Sequence, residues 1–119
     1  MGKKLKVLLL DEAEHFMSLI DQKARLKIIR NIDRIEEGLI DVRIFKKLEG
    51  SEIWEFRAEY ESNAYRLLAF WDKRKRALII ATHGFVKKTQ KTPAKEISKA
   101  EKIRLEYLKN RAHENIHHR

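Results

Sequence analysis

The run Ala77-Leu78-Ile79-Ile80-Ala81-Thr82, continued by His83-Gly84-Phe85-Val86-Lys87-Lys88-Thr89-Gln90-Lys91-Thr92-Pro93, marks the point where a sheet hands over to a helix. Its first six residues are short, apolar and rich in Ile and Leu, the pattern of a buried strand. The residues from His83 to Pro93 read as a loop. Thr92 before Pro93 predicts a helix start, since a hydroxyl can cap orphan N–H groups and proline fits the first helical position. Four groups here can carry positive charge: His83, Lys87, Lys88 and Lys91. Cations beside the free backbone donors of a helix N-terminus suit a phosphate; a solvated lysine-rich loop has the same composition.

Working backward from this stretch, two hairpins come into view. Trp54 to Tyr60 alternates, with Trp54, Phe56 and Ala58 on one face and Glu55, Arg57 and Glu59 on the other. Tyr65 to Trp71 follows after the turn-forming residues Glu61 to Ala64, and Asp72-Lys73-Arg74-Lys75 makes the next turn. Even-length turns would set Glu59 opposite Arg66 and Arg66 opposite Ala81. Arg57, Arg66 and His83 would then share one sheet face, because partners directly opposite point the same way. A bulge or an odd turn would break that inference. Arg57 could equally pair with Glu59, and His83 could be a satisfied core histidine. Val42 to Leu48 also alternates, with Val42, Ile44 and Leu48 inward, and Glu49-Gly50-Ser51 is a turn.

Earlier still, Leu5 to Leu10 predicts a buried strand. Asp11 is placed to cap a short helix that carries Ala13, Phe16, Met17 and Ile20 and ends near Asp21. A second helix over 22–37 buries Ala24, Ile28, Ile32, Ile35 and Leu39 and closes at Gly38. Its opposite face carries Lys23, Lys27, Arg30 and Arg34, a basic stripe that is either solvated or in contact with RNA phosphates or an acidic partner. Beyond Pro93, Ile97, Ala100, Ile103, Tyr107 and Leu108 mark a last helix ending near Arg111. The tail over 113–119 holds histidines at a spacing of four, compatible with two ligands on one helix face, but as a terminal segment it reads as a solvated end rather than a metal site.

The 119 residues suffice for one domain with a single core. Lys and Arg number 27 against 18 Asp and Glu, a formal charge of +9 that attracts polyanions, above all nucleic acid. Without cysteine there can be no disulfide, thiolate metal site or thiol nucleophile, which fits a reducing cytoplasm. The apolar run Val7 to Leu10 is too short for a signal peptide or a membrane span. A cytoplasmic location without membrane attachment is the expectation.

The segments Lys46-Lys47-Leu48-Glu49-Gly50, Ile53-Trp54-Glu55-Phe56-Arg57, Tyr65-Arg66-Leu67 and His83 to Pro93, with Glu96, Ala100 and Tyr107 beyond, resemble the RelE/HigB-like toxins of toxin–antitoxin pairs, especially the phage-derived HigB-like branch of the RelE/ParE superfamily. The resemblance covers nearly the whole chain. It implies an α+β domain over 1–112, with a mostly antiparallel sheet of four to five strands, two N-terminal helices and a C-terminal helix. It also implies a ribosome-dependent mRNA endoribonuclease, an mRNA interferase that inhibits translation until a cognate antitoxin, a small helix-turn-helix protein encoded beside it, blocks it. By position Arg57, Arg66 and Lys87 match the family's basic residues, and His83 and Lys88 are the candidates for acid and base. The tyrosine that many relatives place after this loop has no counterpart; Thr89, Gln90 and Thr92 stand there. Lys46, Lys47 and Lys91, with the stripe Lys23, Lys27, Arg30 and Arg34, are the residues expected to meet RNA or the ribosome.

Such chemistry requires no cofactor and no metal: the substrate 2′-OH is the nucleophile, and the protein moves protons and stabilises charge on phosphorus. Two other readings compete, a ParE-like toxin that poisons DNA gyrase and a catalytically inert nucleic-acid-binding regulatory module. The cations Arg57, Arg66, His83, Lys87 and Lys88 favour the nuclease.

Overall fold

The computed structural model describes residues 4–88 and 91–117, with side chains described for 4–88 and 91–110. Five strands form one sheet: β1 (Lys6–Leu9), β2 (Phe45–Lys47), β3 (Trp54–Tyr60), β4 (Asn63–Asp72) and β5 (Leu78–Lys87). Their order is β1-β5-β4-β3-β2, antiparallel throughout except for β1, which runs parallel to β5. Helices α1 (Asp11–Leu19) and α2 (Gln22–Glu36) cover one face, and α3 (Ala94–His117) lies on the other. The α+β class and the mostly antiparallel five-stranded sheet agree with the sequence.

Alternation divides the strand residues between two cores. Phe56, Ala58, Leu67, Ala69, Ile79 and Ala81 pack with Ala13, Met17, Ala24, Ile28, Ile32 and Ile35 of α1 and α2. Leu68, Phe70 and Ile80 face the other way, toward Ile97, Ala100 and Tyr107 of α3. The sheet is thus buried on both faces in its middle strands, which is why β4 and β5 read as continuous apolar runs.

Helix ends and one strand differ from expectation, each for a local reason. Leu10, in extended conformation, is the residue before α1, so Asp11 sits inside the first turn and stabilises the helix through its charge rather than as a cap. The α1 helix stops at Leu19, and Asp21 instead caps α2, accepting from Lys23 N at 2.8 Å. At the far end of α2, Gly38 (φ +92°) lets Leu39 N reach Arg34 O and Gly38 N reach Ile35 O. Leu39 itself is exposed, not part of the apolar face. Val42 is exposed as well, because Asp41 folds its neighbours into a turn: Ile44 N and Phe45 N donate to Asp41 O, and Arg43 N donates to its carboxylate. The inward residue is Phe45, stacked on Trp54 and Phe56 at 4.8 and 4.4 Å between ring centroids.

Registers also differ in detail. Glu61 and Ser62, both at positive φ, make a two-residue turn, and Arg57, not Glu59, stands opposite Arg66. The β4–β5 turn spans 73–77, an odd length that would turn His83 to the wrong face, but a bulge at Leu68/Ala69 shifts the register back. Arg66 faces Phe85 rather than Ala81, and His83 faces Leu68. The two irregularities cancel, so Arg57, Arg66 and His83 do share a face.

Strand β5 runs on through Lys87, past the expected end at Thr82. Thr92 does not cap α3: its hydroxyl donates to Glu55 Oε1 at 2.6 Å, while Pro93 O accepts from Glu96 N and Ile97 N. With no glycine or proline after Pro93, α3 continues past Arg111 to His117, so a division at residue 112 falls within it. The histidine side chains of the tail and residues Thr89 and Gln90 lie outside the described residues. No described helix is long and apolar enough to cross a membrane.

Two buried groups pin the elements together. Asp72 accepts from Arg74 N and from the Tyr107 hydroxyl at 3.0 Å, tying α3 to the end of β4. His83 is 3% exposed, with Nδ1 3.1 Å from Thr82 Oγ1 and Nε2 3.0 Å from Glu96 Oε1. A neutral ring donating through Nε2 accepts at Nδ1 from the Thr82 hydroxyl, whose one proton also lies within reach of Leu68 O at 3.3 Å. Burial holds the His83 pKa below its ordinary 6.5, against the pull of Glu96 and Glu12 and with help from Lys99.

Two outcomes follow from this packing. A Cβ on Gly84 would lie 2.2 Å from the Phe16 ring, so Gly84→Ala is expected to cost about 1–3 kcal/mol in urea unfolding. It should cost less in a Phe16→Ala background; equal costs in both backgrounds would remove the clash as the cause. The unfolded chain protonates His83 near pH 6.5 while the folded one resists, so stability falls as pH drops through 6.5 toward the lowered folded value. His83→Gln should flatten that slope in unfolding midpoints, and unchanged slopes would show that His83 does not titrate with folding.

Candidate active site on the sheet

Three clefts meet at Arg57. The central one, about 500 Å³, lies over the β3–β4 hairpin and the end of β5 and is lined by Arg57, Glu59, Ser62, Ala64, Arg66, Lys87 and Lys88. Its geometry follows from the registers: Arg57 is paired with Arg66, and Lys87 with Ala64. Like charges directly opposite on a sheet repel. The molecule supplies two carboxylates against that repulsion.

Glu55, only 3% exposed, has Oε2 3.5 Å from Arg57 Nε and 3.8 Å from Arg66 Nε. Glu59 Oε2 is 3.4 Å from Arg66 Nη1, which also donates to Tyr65 O at 3.0 Å. Both Nε–H groups are buried without a hydrogen-bond partner. Unsatisfied charged donors in a buried setting cost about 1–3 kcal/mol each. The contacts fix the guanidiniums in place and leave the cleft's charge balance positive.

Lys87 completes the cluster. Burial, then the nearby Arg66 and Arg57 guanidiniums, lower its pKa from 10.5, opposed by Glu55 and Glu59. A lysine so placed gives up a proton more readily than one in water. Lys88 lines the same cleft and is exposed.

The expected site residues therefore separate. Arg57, Arg66, Lys87 and Lys88 come together. His83 shares their sheet face but lines none of the three clefts, its ring taken up by Thr82 and Glu96. Lys46, Lys47 and Lys91 line a second cleft beside Arg57 and Lys87. Lys27, Arg30 and Arg34 line a third, with Arg43, along the edge of β3. There Lys27 Nζ donates to Glu59 O and Asn31 to Arg57 O, covering strand carbonyls that β2 is too short to pair. Lys23 lines none of these clefts.

Sequence reasoning missed Glu55. It alternates outward with Arg57, which was visible, but its burial depends on Thr92 arriving from the start of α3. Among the described residues, no three His, Asp or Glu side chains are placed to hold a metal ion.

Comparison with known proteins gives no match among curated sequences. Solved structures share the fold. Free Escherichia coli toxin RelE, as a double arginine-to-alanine mutant, superposes with a TM-score of 0.57 at 18% identity, over 86% of this chain and 97% of that one. The intact E. coli RelBE toxin–antitoxin complex gives 0.51 at 15%, over 73% and 99%. The toxin–antitoxin complex RelBE2 of Mycobacterium tuberculosis gives 0.51 at 16%, over 73% and 94%. At these identities the likeness establishes a RelE-like fold. In sequence, residues 15–105 match the model of a family described as phage derived protein Gp49-like (DUF891), a span that takes in both hairpins, the arginine pair and the start of α3, and the chain belongs to that family.

Proposed function

We propose that the chain is the toxin of a toxin–antitoxin pair, an endoribonuclease that cuts mRNA on the ribosome and so inhibits translation. The observation that carries this reading is the Arg57–Arg66 pair, held directly opposite across the sheet with Lys87 beside it. Such an arrangement destabilises a protein that binds nothing there. A phosphate offsets the repulsion, and the pentavalent phosphorane formed during cleavage, which carries more negative charge, offsets it further.

In the reaction the 2′-OH of the substrate gives up its proton to water in the open cleft as its oxygen attacks phosphorus, the bond to the 5′-oxygen breaks, and a 2′,3′-cyclic phosphate forms. Arg57 and Arg66 stabilise the charge that builds on the non-bridging oxygens, the task for which a permanently charged planar donor is suited. Lys87, with its pKa lowered, delivers a proton to the leaving oxygen. Lys88 is the other titratable cation in the cleft, and Glu55 positions both guanidiniums. The supporting comparisons are those with RelE and with RelBE complexes, the latter named as toxin–antitoxin assemblies. The partners are the ribosome with its mRNA and an antitoxin, a small helix-turn-helix protein encoded alongside, whose acidic groups mask the basic face in the cytoplasm. A gyrase-directed toxin would have no use for the cation cluster.

Arg66→Ala should lower mRNA cleavage by about 10²–10³-fold at equal folded concentration. Arg66→Lys should recover only part of it, since the charge returns without the fork. Induced expression with mapping of mRNA ends reads both, and cleavage by the alanine variant at the wild-type rate would remove Arg66 from the site.

A further inference from the structure

Lys87 places an amine inside a cleft whose other cations suit a phosphate. Its half-buried side chain lines the central cleft with Arg57, Arg66 and the exposed Lys88. Several other lysines are committed to partners: Lys73 Nζ to Glu52 at 3.0 Å, Lys99 Nζ to Glu12 at 2.7 Å, and Lys27 Nζ to Glu59 O at 2.7 Å. Among the described residues Lys87 forms no such ion pair, because Glu55 and Glu59, the carboxylates nearby, are turned to the guanidiniums. Burial, then Arg66 and Arg57, favour its neutral form. A partly desolvated amine beside fixed cations is a setting that makes lysine a nucleophile.

The same cations select what that nucleophile meets. An anion with a phosphate at one end and an electrophilic carbon next to it is held by the guanidiniums with that carbon beside the amine. Acyl phosphates have this shape, whereas a neutral acyl donor has nothing for the arginines to hold. We infer that Lys87 is an acylation site, modified by acyl phosphates that Arg57 and Arg66 bind through the phosphate, and that the modification silences RNA cleavage. Once the ammonium has lost a proton to water, the Nζ lone pair attacks the carbonyl carbon. The bond from that carbon to the bridging oxygen breaks, and phosphate leaves with the electron pair and takes up a proton from the nitrogen. The amide that forms is neutral, so the cleft loses a positive charge and the proton destined for the 5′-oxygen. The silencing rests on the RNA-cleaving reading of this cleft; the acylation rests on its hold on phosphate.

The test treats the full chain with acetyl phosphate and, separately, with the neutral donor S-acetyl-N-acetylcysteamine, and follows acetylation of Lys87 and Lys88 by peptide mass spectrometry. With acetyl phosphate Lys87 should react about 10-fold faster than Lys88, a small part of what positioning can contribute. That ratio should fall with the neutral donor. Inorganic phosphate should slow the acetyl phosphate reaction at Lys87 and leave the neutral one unchanged, a comparison that needs no variant. Arg66→Ala should slow the acetyl phosphate reaction more than the neutral one. Equal rates at Lys87 and Lys88 with acetyl phosphate, or a Lys87 rate that phosphate does not alter, would overturn the site. If Lys87 is acetylated as expected but the modified protein cuts mRNA at the unmodified rate, the silencing is overturned, and with it the part given to Lys87 in the reaction, while the acylation site stands.

Discussion

Two arginines held opposite each other on neighbouring strands repel, and much of the site is arranged around containing that repulsion. Arg57 and Arg66 are aligned by the Glu61–Ser62 turn, whose two residues both adopt positive φ although neither is glycine. That turn costs roughly 1–2 kcal/mol per residue. A longer turn would relax it, at the expense of the alignment. Glu55 answers from beneath, buried and within ion-pair range of both guanidiniums. Glu55 is in turn fixed by Thr92, so the start of α3 is coupled to the arginine pair through a single hydroxyl.

The remaining architecture serves the same face. The odd turn after β4 and the bulge at Leu68/Ala69 each invert the direction of every later β5 side chain, and together they restore it. Lys87, opposite Ala64, thereby points to the sheet face of Arg66 rather than toward α1. His83 takes the same direction but is spent on Glu96, joining β5 to α3. Gly84, next in the chain, lets Phe16 of α1 lie directly on the strand backbone from the other side.

Much of this was legible in the sequence, and the limits have physical causes. Strand β3 was clear because period-two alternation and its bounding turn residues agree, and β4 because a strand-like apolar run lies between two turn segments. Helix α2 was clear because its apolar face and Gly38 agree, while Asp21 caps it instead of ending the helix before. On composition alone strand β5 ends at Thr82, since Gly84 and Lys87 have loop composition and only pairing with β4 makes them strand. Val42 was misplaced because a side-chain turn at Asp41 outweighed alternation. The shared face of Arg57, Arg66 and His83 came out as expected, although neither register did, because two parity changes cancelled. Glu55 was out of reach: its burial follows from α3 packing across the sheet, a long-range contact that no local pattern encodes.

If the arginine pair holds the phosphate of an RNA whose own 2′-OH is the nucleophile, removing one hydroxyl must stop the reaction and leave binding almost intact. Single-turnover cleavage on programmed ribosomes, with a normal codon or one carrying a 2′-deoxy sugar at the cut, measures this directly. The account predicts cutting of the normal codon to a 2′,3′-cyclic phosphate or 3′-phosphate with a 5′-hydroxyl, and an intact 2′-deoxy codon. Efficient cleavage of the 2′-deoxy codon, or a 5′-phosphate product, would contradict it.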